Sequence, residues 1–335
     1  MTNTLIVDGN ALLKLGFHGL KNLSYEDNHI GGVFHFLNKI RIEIDHNHYE
    51  KVVVFWDGEK NYTSRRKIYE NYKIRRKSNF RDKEHQNSFY SQKQRLQQYL
   101  EEIFIRQTSF NNYEADDAIA FYCHNVKKEN ITILTNDRDL LQLVSDKVSV
   151  KLFNRDKLIV KGEKIKYEGF LIPIENIKLL KIICGDSSDG IKGIKGVGVK
   201  TVINNFPEVQ KEVITLENFL KTLKENYNKT TPNFRVKNLV KGITIEGELG
   251  DSFFERNKNL IDLSETLLDE NSQNEILDII KETIDPEDRS YKNLLRMMME
   301  DGLFKLLGKS DDAFLKFVTP FIVLTRIEKN KFKNS

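Results

Sequence analysis

Nine carboxylates fall in five short acidic motifs: Asp8-Gly9, Asp57-Gly58, Tyr113-Glu114-Ala115-Asp116-Asp117, Asn136-Asp137-Arg138-Asp139 and Gly185-Asp186-Ser187-Ser188-Asp189. Singly, each has an ordinary explanation. Asp at a helix start is a cap or a partner for the helix dipole, and Asp-Gly is a common turn. If the motifs converge on one cleft, that explanation fails on energy, because two carboxylates about 5 Å apart repel by roughly 3 kcal/mol at an effective dielectric near 20. Several such pairs would consume most of a stability of about 5–15 kcal/mol unless divalent cations neutralise them. A donor set made of oxygen alone, with no His or Cys, favours hard ions such as magnesium or manganese. Two such ions roughly 4 Å apart are the arrangement that activates water and clamps both oxygens in phosphoryl transfer.

Convergence requires particular elements. Residues 4–7, 51–56 and 131–135 are short β-branched runs separated by segments of helical periodicity, which predicts an α/β fold with a mostly parallel sheet. The three runs end at Asp8, Asp57 and Asn136-Asp137, so as parallel neighbours they would deliver those carboxylates to one edge of the sheet, where ligands of open α/β sheets bind. Residues 148–153 and 157–161, joined by Asn154-Arg155-Asp156, read as a β-hairpin. Beyond Pro173 the pattern turns helical over 174–183 and 199–206, polar and loop-like over 225–234, and helical again from Asn257. The expected division is an α/β region over 1–170, a region over 171–256 built around a Gly-rich turn, and a helical region over 257–335 that leans on the rest.

Composition supports a folded chain. It has 335 residues, 39% hydrophobic and 30% charged, with 18 glycines and 5 prolines, which excludes collagen-like, low-complexity and disordered classes. No apolar run approaches the roughly 20 residues of a membrane span, no signal peptide is visible, and Cys123 and Cys184 sit in apolar helical patterns without metal-site spacing. A reducing cytoplasm is the expected location.

The net charge of +4 conceals an uneven distribution. Residues 60–95 carry twelve basic side chains against three acidic ones, interleaved with Tyr62, Tyr69, Tyr72, Phe80, Phe89 and Tyr90. Such a run is as often a solvated face as a binding site, yet aromatics beside cations are what grips a single strand. The second non-acidic motif is Gly193-Ile194-Lys195-Gly196-Val197-Gly198-Val199-Lys200-Thr201, between two helical segments. Its glycines allow backbone N–H groups to meet a phosphate, which suits sequence-independent binding of a nucleic-acid backbone. It lacks the GxxxxGK[ST] order of a nucleotide P-loop.

Taken in order and spacing over residues 3–206, Asp8-Gly9-Asn10, Phe55-Trp56-Asp57, Tyr72-Lys73 with Arg76, Glu114-Ala115-Asp116-Asp117, Asp137-Arg138-Asp139 and Asp186-Ser187-Ser188-Asp189 followed by the Gly-rich turn resemble the 5'-nuclease (flap endonuclease) family. Without a polymerase region, and with its helical tail, the chain is most similar to the stand-alone phage enzymes called RNase H or 5'-3' exonuclease. The resemblance implies a PIN-like 5'-nuclease fold in which Asp8, Asp57, Glu114, Asp116 and Asp117 surround one magnesium or manganese ion, and Asp137, Asp139, Asp186 and Asp189 a second. It implies a helical arch over residues 60–95, with Lys73 and Arg76 near the scissile phosphate and Arg65, Arg66, Tyr72, Arg75 and Lys77 along the path of a 5' strand. Lys192, Gly193, Lys195, Gly196, Gly198, Lys200 and Thr201 would form a helix-hairpin-helix-type element holding duplex, with potassium on its carbonyls. Where many relatives carry Asn after the last Asp and prolines in the hairpin, this chain has Gly190, Lys192 and Lys195.

The activity implied is a two-metal phosphodiesterase cutting at 5' ends and flaps of DNA and RNA-DNA hybrids, as in primer removal during replication, with Asp8, Asp57, Asp116, Asp137 and Asp139 at its chemical centre. A monomer is expected, with a single-stranded-DNA-binding or other replication protein as a further partner. Two alternatives stay open: a branched-DNA-binding protein of the same fold without chemistry, and a small-RNA nuclease of PIN-like architecture, for which the basic segment and Gly-rich turn would be superfluous.

Overall fold

β-Branched and aromatic runs buried on both faces make the centre of the molecule. In a computed structural model, which describes residues 2–26, 28–74, 80–155, 157–229, 234–242, 250–281, 284–285, 287, 289–308, 310 and 312–334, the first half runs β1 (Thr2–Asp8), α1 (Gly9–Gly19), a ribbon of β2 (Ser24–Tyr25) and β3 (Asn28–His29), α2 (Gly31–Asn47), β4 (Lys51–Asp57), α3 (Thr63–Ile68), α4 (Lys83–Glu102), β5 (Arg106–Phe110), α5 (Ala115–Asn125), β6 (Glu129–Thr135) and β7 (Val148–Leu152). β5, β4, β1, β6 and β7 form one sheet in that order, every pairing parallel. Asp8 lies level with Phe55, and Val7 with Leu134, so the carboxyl ends of β1, β4 and β6 share one edge.

The two faces hold separate cores. Leu5, Val7, Val54 and Trp56 pack with α1, α2 and α4 on one side, while Ile6, Val53, Phe55 and Ile133 pack with α5 on the other. Full burial of both faces explains why these strands read as continuous apolar runs. The second half comprises a hairpin of β8 (Lys164–Tyr167) and β9 (Phe170–Pro173), α6 (Asn176–Cys184), a short ribbon of β10 (Gly185–Asp186) and β11 (Ile191–Lys192), α7 (Val199–Asn205), α8 (Leu216–Lys229), α9 (Phe234–Lys241), α10 (Asp251–Ile261), α11 (Glu270–Lys281), α12 (Tyr291–Glu300) and α13 (Ala313–Asn334). α6 to α10 gather around a third core that includes Leu180, Val202, Phe219, Leu239 and Phe253.

Two expectations change. Residues 148–153 and 157–161 do not make a hairpin: β7 takes β6 as its parallel neighbour, and only Ile159 bridges back to Val150. The hairpin is β8–β9, whose two-residue turn Glu168-Gly169 has both residues at positive φ, the geometry that favours tight hairpins. The polar stretch over 225–234 is helical up to Lys229 and again from Phe234, with residues 230–233 outside the described ones; the helix that carries buried Phe219 and Leu223 runs on past them, packing overriding the weak propensity of Asn226, Tyr227 and Asn228. The C-terminal helices pack on both sides of the sheet. α12 and α13 bury Leu294, Met298, Phe317 and Phe321 in the α2 face, and α11 buries Ile276 in the α5 face. α13 is also held by a buried ion pair, Arg106 Nη2 to Glu328 Oε2 at 2.8 Å. No helix among the described residues is long and apolar enough to cross a membrane.

Candidate metal centre

The site grows from strand ends. Asp8 closes β1 and caps α1: its Oδ1 accepts from the Ala11 N–H at 3.1 Å and its Oδ2 from the Thr135 hydroxyl at 2.9 Å. Asp57 closes β4, accepting from Asn10 Nδ2 at 2.8 Å and from the Ala115 N–H, at the start of α5, at 3.2 Å. Gly58 follows because nothing larger fits: a Cβ there would stand 1.9 Å from the Phe110 carbonyl oxygen. At the end of β6, Asp137 and Asp139 lock each other, the Asp139 N–H donating to Asp137 Oδ1 at 2.8 Å. The β10–β11 ribbon brings in Asp186 and Asp189, and carboxylate oxygens of Asp139, Asp186 and Asp189 lie within 4.8 Å of one another. Buried Asn257 of α10 fixes the ribbon, donating to the Ile182 and Lys192 carbonyls at 3.0 and 2.9 Å.

Repulsion shows in the protonation equilibria. Burial, then the neighbouring Asp57, pushes Asp8 up to about 7. Burial and Asp137 push Asp139 up to about 6. Asp116 is raised well above the usual carboxylate range by burial, then by Asp137 and Asp8. Two lysines hold other members down. Burial would raise Asp186, but Lys181 of α6, 2.7 Å away, and Ser188 leave it lowered. Glu114, buried likewise, is lowered by Lys73 and Arg65. Lys181 Nζ also contacts Asp139, and Lys73 Nζ lies 2.5 Å from Glu114 and 3.4 Å from Asp189. Among the described residues, Asp8, Asp116 and Asp137 have no ammonium or guanidinium within salt-bridge distance.

Divalent cations fit this set. The donors are carboxylate oxygens alone, four of the carboxyls (Asp8, Asp116, Asp139 and Asp189) are protonated more readily than a free one, and Oδ1 of Asn10, whose Nδ2 donates to Asp57, is buried without a hydrogen-bond partner. Among the described residues, carboxylate oxygens of Asp139, Asp186 and Asp189 come close enough to share an ion, and Asp8, Asp57, Asp116 and Asp137 lie within electrostatic reach of one another along the same edge. A consequence for stability follows. Carboxyls whose native pKa exceeds the unfolded value take up protons on folding, so metal-free stability should fall as pH rises from about 4 to about 7. We expect magnesium to raise Tm more at pH 8 than at pH 5; an equal shift at both would show that these carboxyls do not hold the ion.

Some expected site residues have other work. Arg65 is buried and faces inward: its guanidinium donates to both Asp117 oxygens at 2.7 and 2.9 Å, to Glu114 at 3.1 Å and to the Leu260 carbonyl at 3.2 Å. Arg65 is therefore no nucleic-acid contact, and Asp117 serves as its counter-ion and as the partner of Glu114 in a capping box. Tyr72, 2% exposed, donates its hydroxyl toward Glu114 at 2.7 Å and Asp189 at 3.1 Å, which rules it out as a stacking surface. Tyr69 and Phe89 are buried as well, leaving Tyr90 as the exposed aromatic of the segment among the described residues. α4 packs Phe89, Leu96, Tyr99 and Leu100 into the core. Arg75, Arg76 and Lys77 lie outside the described residues. Lys73 is at the carboxylates, its backbone N–H donating to the Asp189 carbonyl at 2.7 Å, and Arg66 is exposed. Beyond the ribbon, Lys195, Gly196, Gly198 and Lys200 are exposed, and Lys192 and Thr201 half-buried. Lys181 and Asn257 escaped the sequence reading; the two lysines, Lys178 and Lys181, in the otherwise apolar helix over 176–184 were the available signal for the first.

In front of Asp57 opens a cleft of about 750 Å³ lined by Lys14, Lys60, Arg66, Lys73, Tyr90 and Lys93, among others. Cations thus border the acidic edge, as a polyanionic substrate requires.

Known proteins resemble this chain in sequence and in fold. A family model described as 5'-3' exonuclease, N-terminal resolvase-like domain, matches residues 3–169. The 5'-3' exonuclease of Buchnera aphidicola subsp. Schizaphis graminum is 32% identical over 204 residues, 59% of this chain and 68% of that one. That of Bacillus subtilis is 32% identical over 223 residues, 64% of this chain and 73% of that one. Among solved structures, the bacteriophage T5 flap endonuclease in a pseudo-enzyme-product complex with DNA and metal ions superposes with a TM-score of 0.63 at 19% identity, covering 84% of this chain and 100% of that one; the likeness confirms the 5'-nuclease fold. With acidic strand ends, sheet order and sequence relatives in agreement, the chain belongs to the 5'-3' exonuclease family.

Proposed function

We propose that this chain is a metal-dependent 5'-3' nuclease that cleaves phosphodiester bonds in DNA bearing 5' ends or flaps, and in RNA-DNA hybrids during primer removal. The observation that carries the reading is one edge of a parallel sheet crowded with carboxylates beside a cation-lined cleft. Its relatives are named 5'-3' exonucleases. Magnesium or manganese, when bound, supplies the Lewis acidity that makes water nucleophilic and stabilises the leaving oxyanion. The chain's own residues position that chemistry. Asp8, Asp57 and Asp116 are fixed at strand ends and a helix start, which keeps their carboxylates on one edge of the sheet. Lys73, pinned by Glu114 and Asp189, keeps its ammonium beside them to balance charge on a phosphate. Lys14, Lys60 and Lys93 bring the strand toward Asp57.

The test is cleavage of a 5'-flapped duplex labelled at the flap, in magnesium, in manganese and in chelator. Flap release that needs metal is the expected outcome. Tight binding with no cleavage in either metal would overturn the reading in favour of a branched-DNA-binding protein.

A further inference from the structure

We propose that α9 completes the duplex-holding surface begun by the Gly-rich turn, and that the ring of Phe234 is its uncharged contact, lying against the sugar edge of a bound nucleic-acid duplex. The inference rests on the nuclease reading and concerns a helix that starts at the last residue of the loop predicted over 225–234.

α9 is docked on the turn. A Cβ at Gly196, which has φ +76°, would stand 3.4 Å from the Phe234 ring, and Asn238 Nδ2 donates to the Lys195 carbonyl at 3.0 Å. The inner side of the helix is anchored by Leu239, 1% exposed, with Val236 and Val240 beside it in the same core as Val197 and Val199. Phe234, Asn238 and Lys241 fall at i, i+4 and i+7 and so share one face. On that face Phe234 is 63% exposed, the highest value of any large hydrophobic residue among the described ones.

Its surroundings choose the occupant. Residues 190–201 and 234–242 contain six basic side chains and no acidic one. Lys195, Lys200, Arg235, Lys237 and Lys241 are all exposed. An uncharged ring inside a uniformly cationic surface fits a polyanion, where cations meet phosphates and the ring meets the apolar faces of the sugars between them. Single-strand platforms use successive aromatic rings; here Arg235 is the ring's cationic neighbour and no second ring stacks on it among the described residues. The surface therefore suits the outside of a duplex.

The test measures binding of the full chain to a 5'-flapped duplex and to its single strand over a series of potassium chloride concentrations, in calcium to hold off cleavage. Wild type should prefer the duplex; if it binds neither, the nuclease reading itself fails. Phe234→Ala should weaken duplex binding about tenfold, the worth of burying roughly 50 Å² of ring, with an unchanged salt slope and unchanged single-strand binding. Phe234→Leu should keep most of the affinity. The double variant Lys195→Ala, Lys200→Ala should instead flatten the slope by about two phosphate contacts. Unchanged duplex affinity in Phe234→Ala, at a Tm equal to wild type, would overturn the proposal and leave the exposed ring to a protein partner. Equal weakening on single strand and duplex would also overturn it.

Discussion

Replacing Asp137 and Asp139 together by Asn should reduce flap cleavage by about a thousandfold or more while DNA binding holds or tightens. The two residues serve different parts of the site. Asp137, exposed at the end of β6, bears on Asp116 and Asp8, and Asp139 lies with Asp186 and Asp189. Removing both charges takes a carboxylate away from each of these groups. A thousandfold loss corresponds to about 4 kcal/mol of transition-state stabilisation, within what a bound cation contributes to a displacement at phosphorus. The fold should tolerate the change: an Asn Oδ1 at 137 can still accept from the 139 N–H, and the repulsion that raises Asp116 falls. The same loss of negative charge predicts that a phosphate backbone is admitted at least as readily as before. The check is single-turnover cleavage together with binding in calcium. Cleavage at the wild-type rate would sink the assignment of these carboxylates to the site. Lost binding would show instead that they shape the surface that holds DNA.

The reason these positions could be read in advance is that they depend on local signals. A β-branched run ending in Asp-Gly or Asn-Asp marks both a strand and its carboxyl end, and parallel packing then brings Asp8, Asp57 and Asp137 together without knowledge of any side-chain contact. Direction of burial carries no such signal. In the basic segment the composition of Arg65, Tyr72 and Lys73 is indistinguishable from that of a solvated arm, yet their partners Glu114 and Asp189 lie 41 to 117 residues away. Lys181 meets Asp139 across 42 residues of chain, so its role exists only in the folded molecule. Strand 148–152 misled for a related reason: a strand and a nearby polar turn announce a hairpin, but β6 offered a parallel neighbour whose apolar faces already matched. The spacing of the C-terminal helices was legible, whereas the face of the sheet each would cover was decided by complementary cores and by pairs such as Arg106–Glu328.

Arg65→Met should be the most destabilising single change in the basic segment, and it separates a structural charge from a substrate contact. The guanidinium joins α3 to Asp117 and Glu114 at the start of α5 and to the Leu260 carbonyl of α10, the helix whose Asn257 fixes the Asp186–Asp189 ribbon. Methionine matches much of its volume but leaves Asp117 buried without a counter-ion, which costs about 3–5 kcal/mol and should lower Tm by roughly 10 °C. If that penalty is the stranded carboxylate, a second change should relieve it: Arg65→Met with Asp117→Asn should be more stable than Arg65→Met alone, with non-additivity of about 1–3 kcal/mol. Glu114 remains paired through Lys73 in both variants. Asp117→Asn alone should keep metal-dependent cleavage, because its oxygens are committed to Arg65 and to the Glu114 N–H. Thermal unfolding of the three variants, with flap cleavage measured at saturating magnesium, decides the matter. Additive losses in Tm would mean that Arg65 acts through its other hydrogen bonds. Cleavage lost in Asp117→Asn at undiminished stability would return Asp117 to the metal ligands.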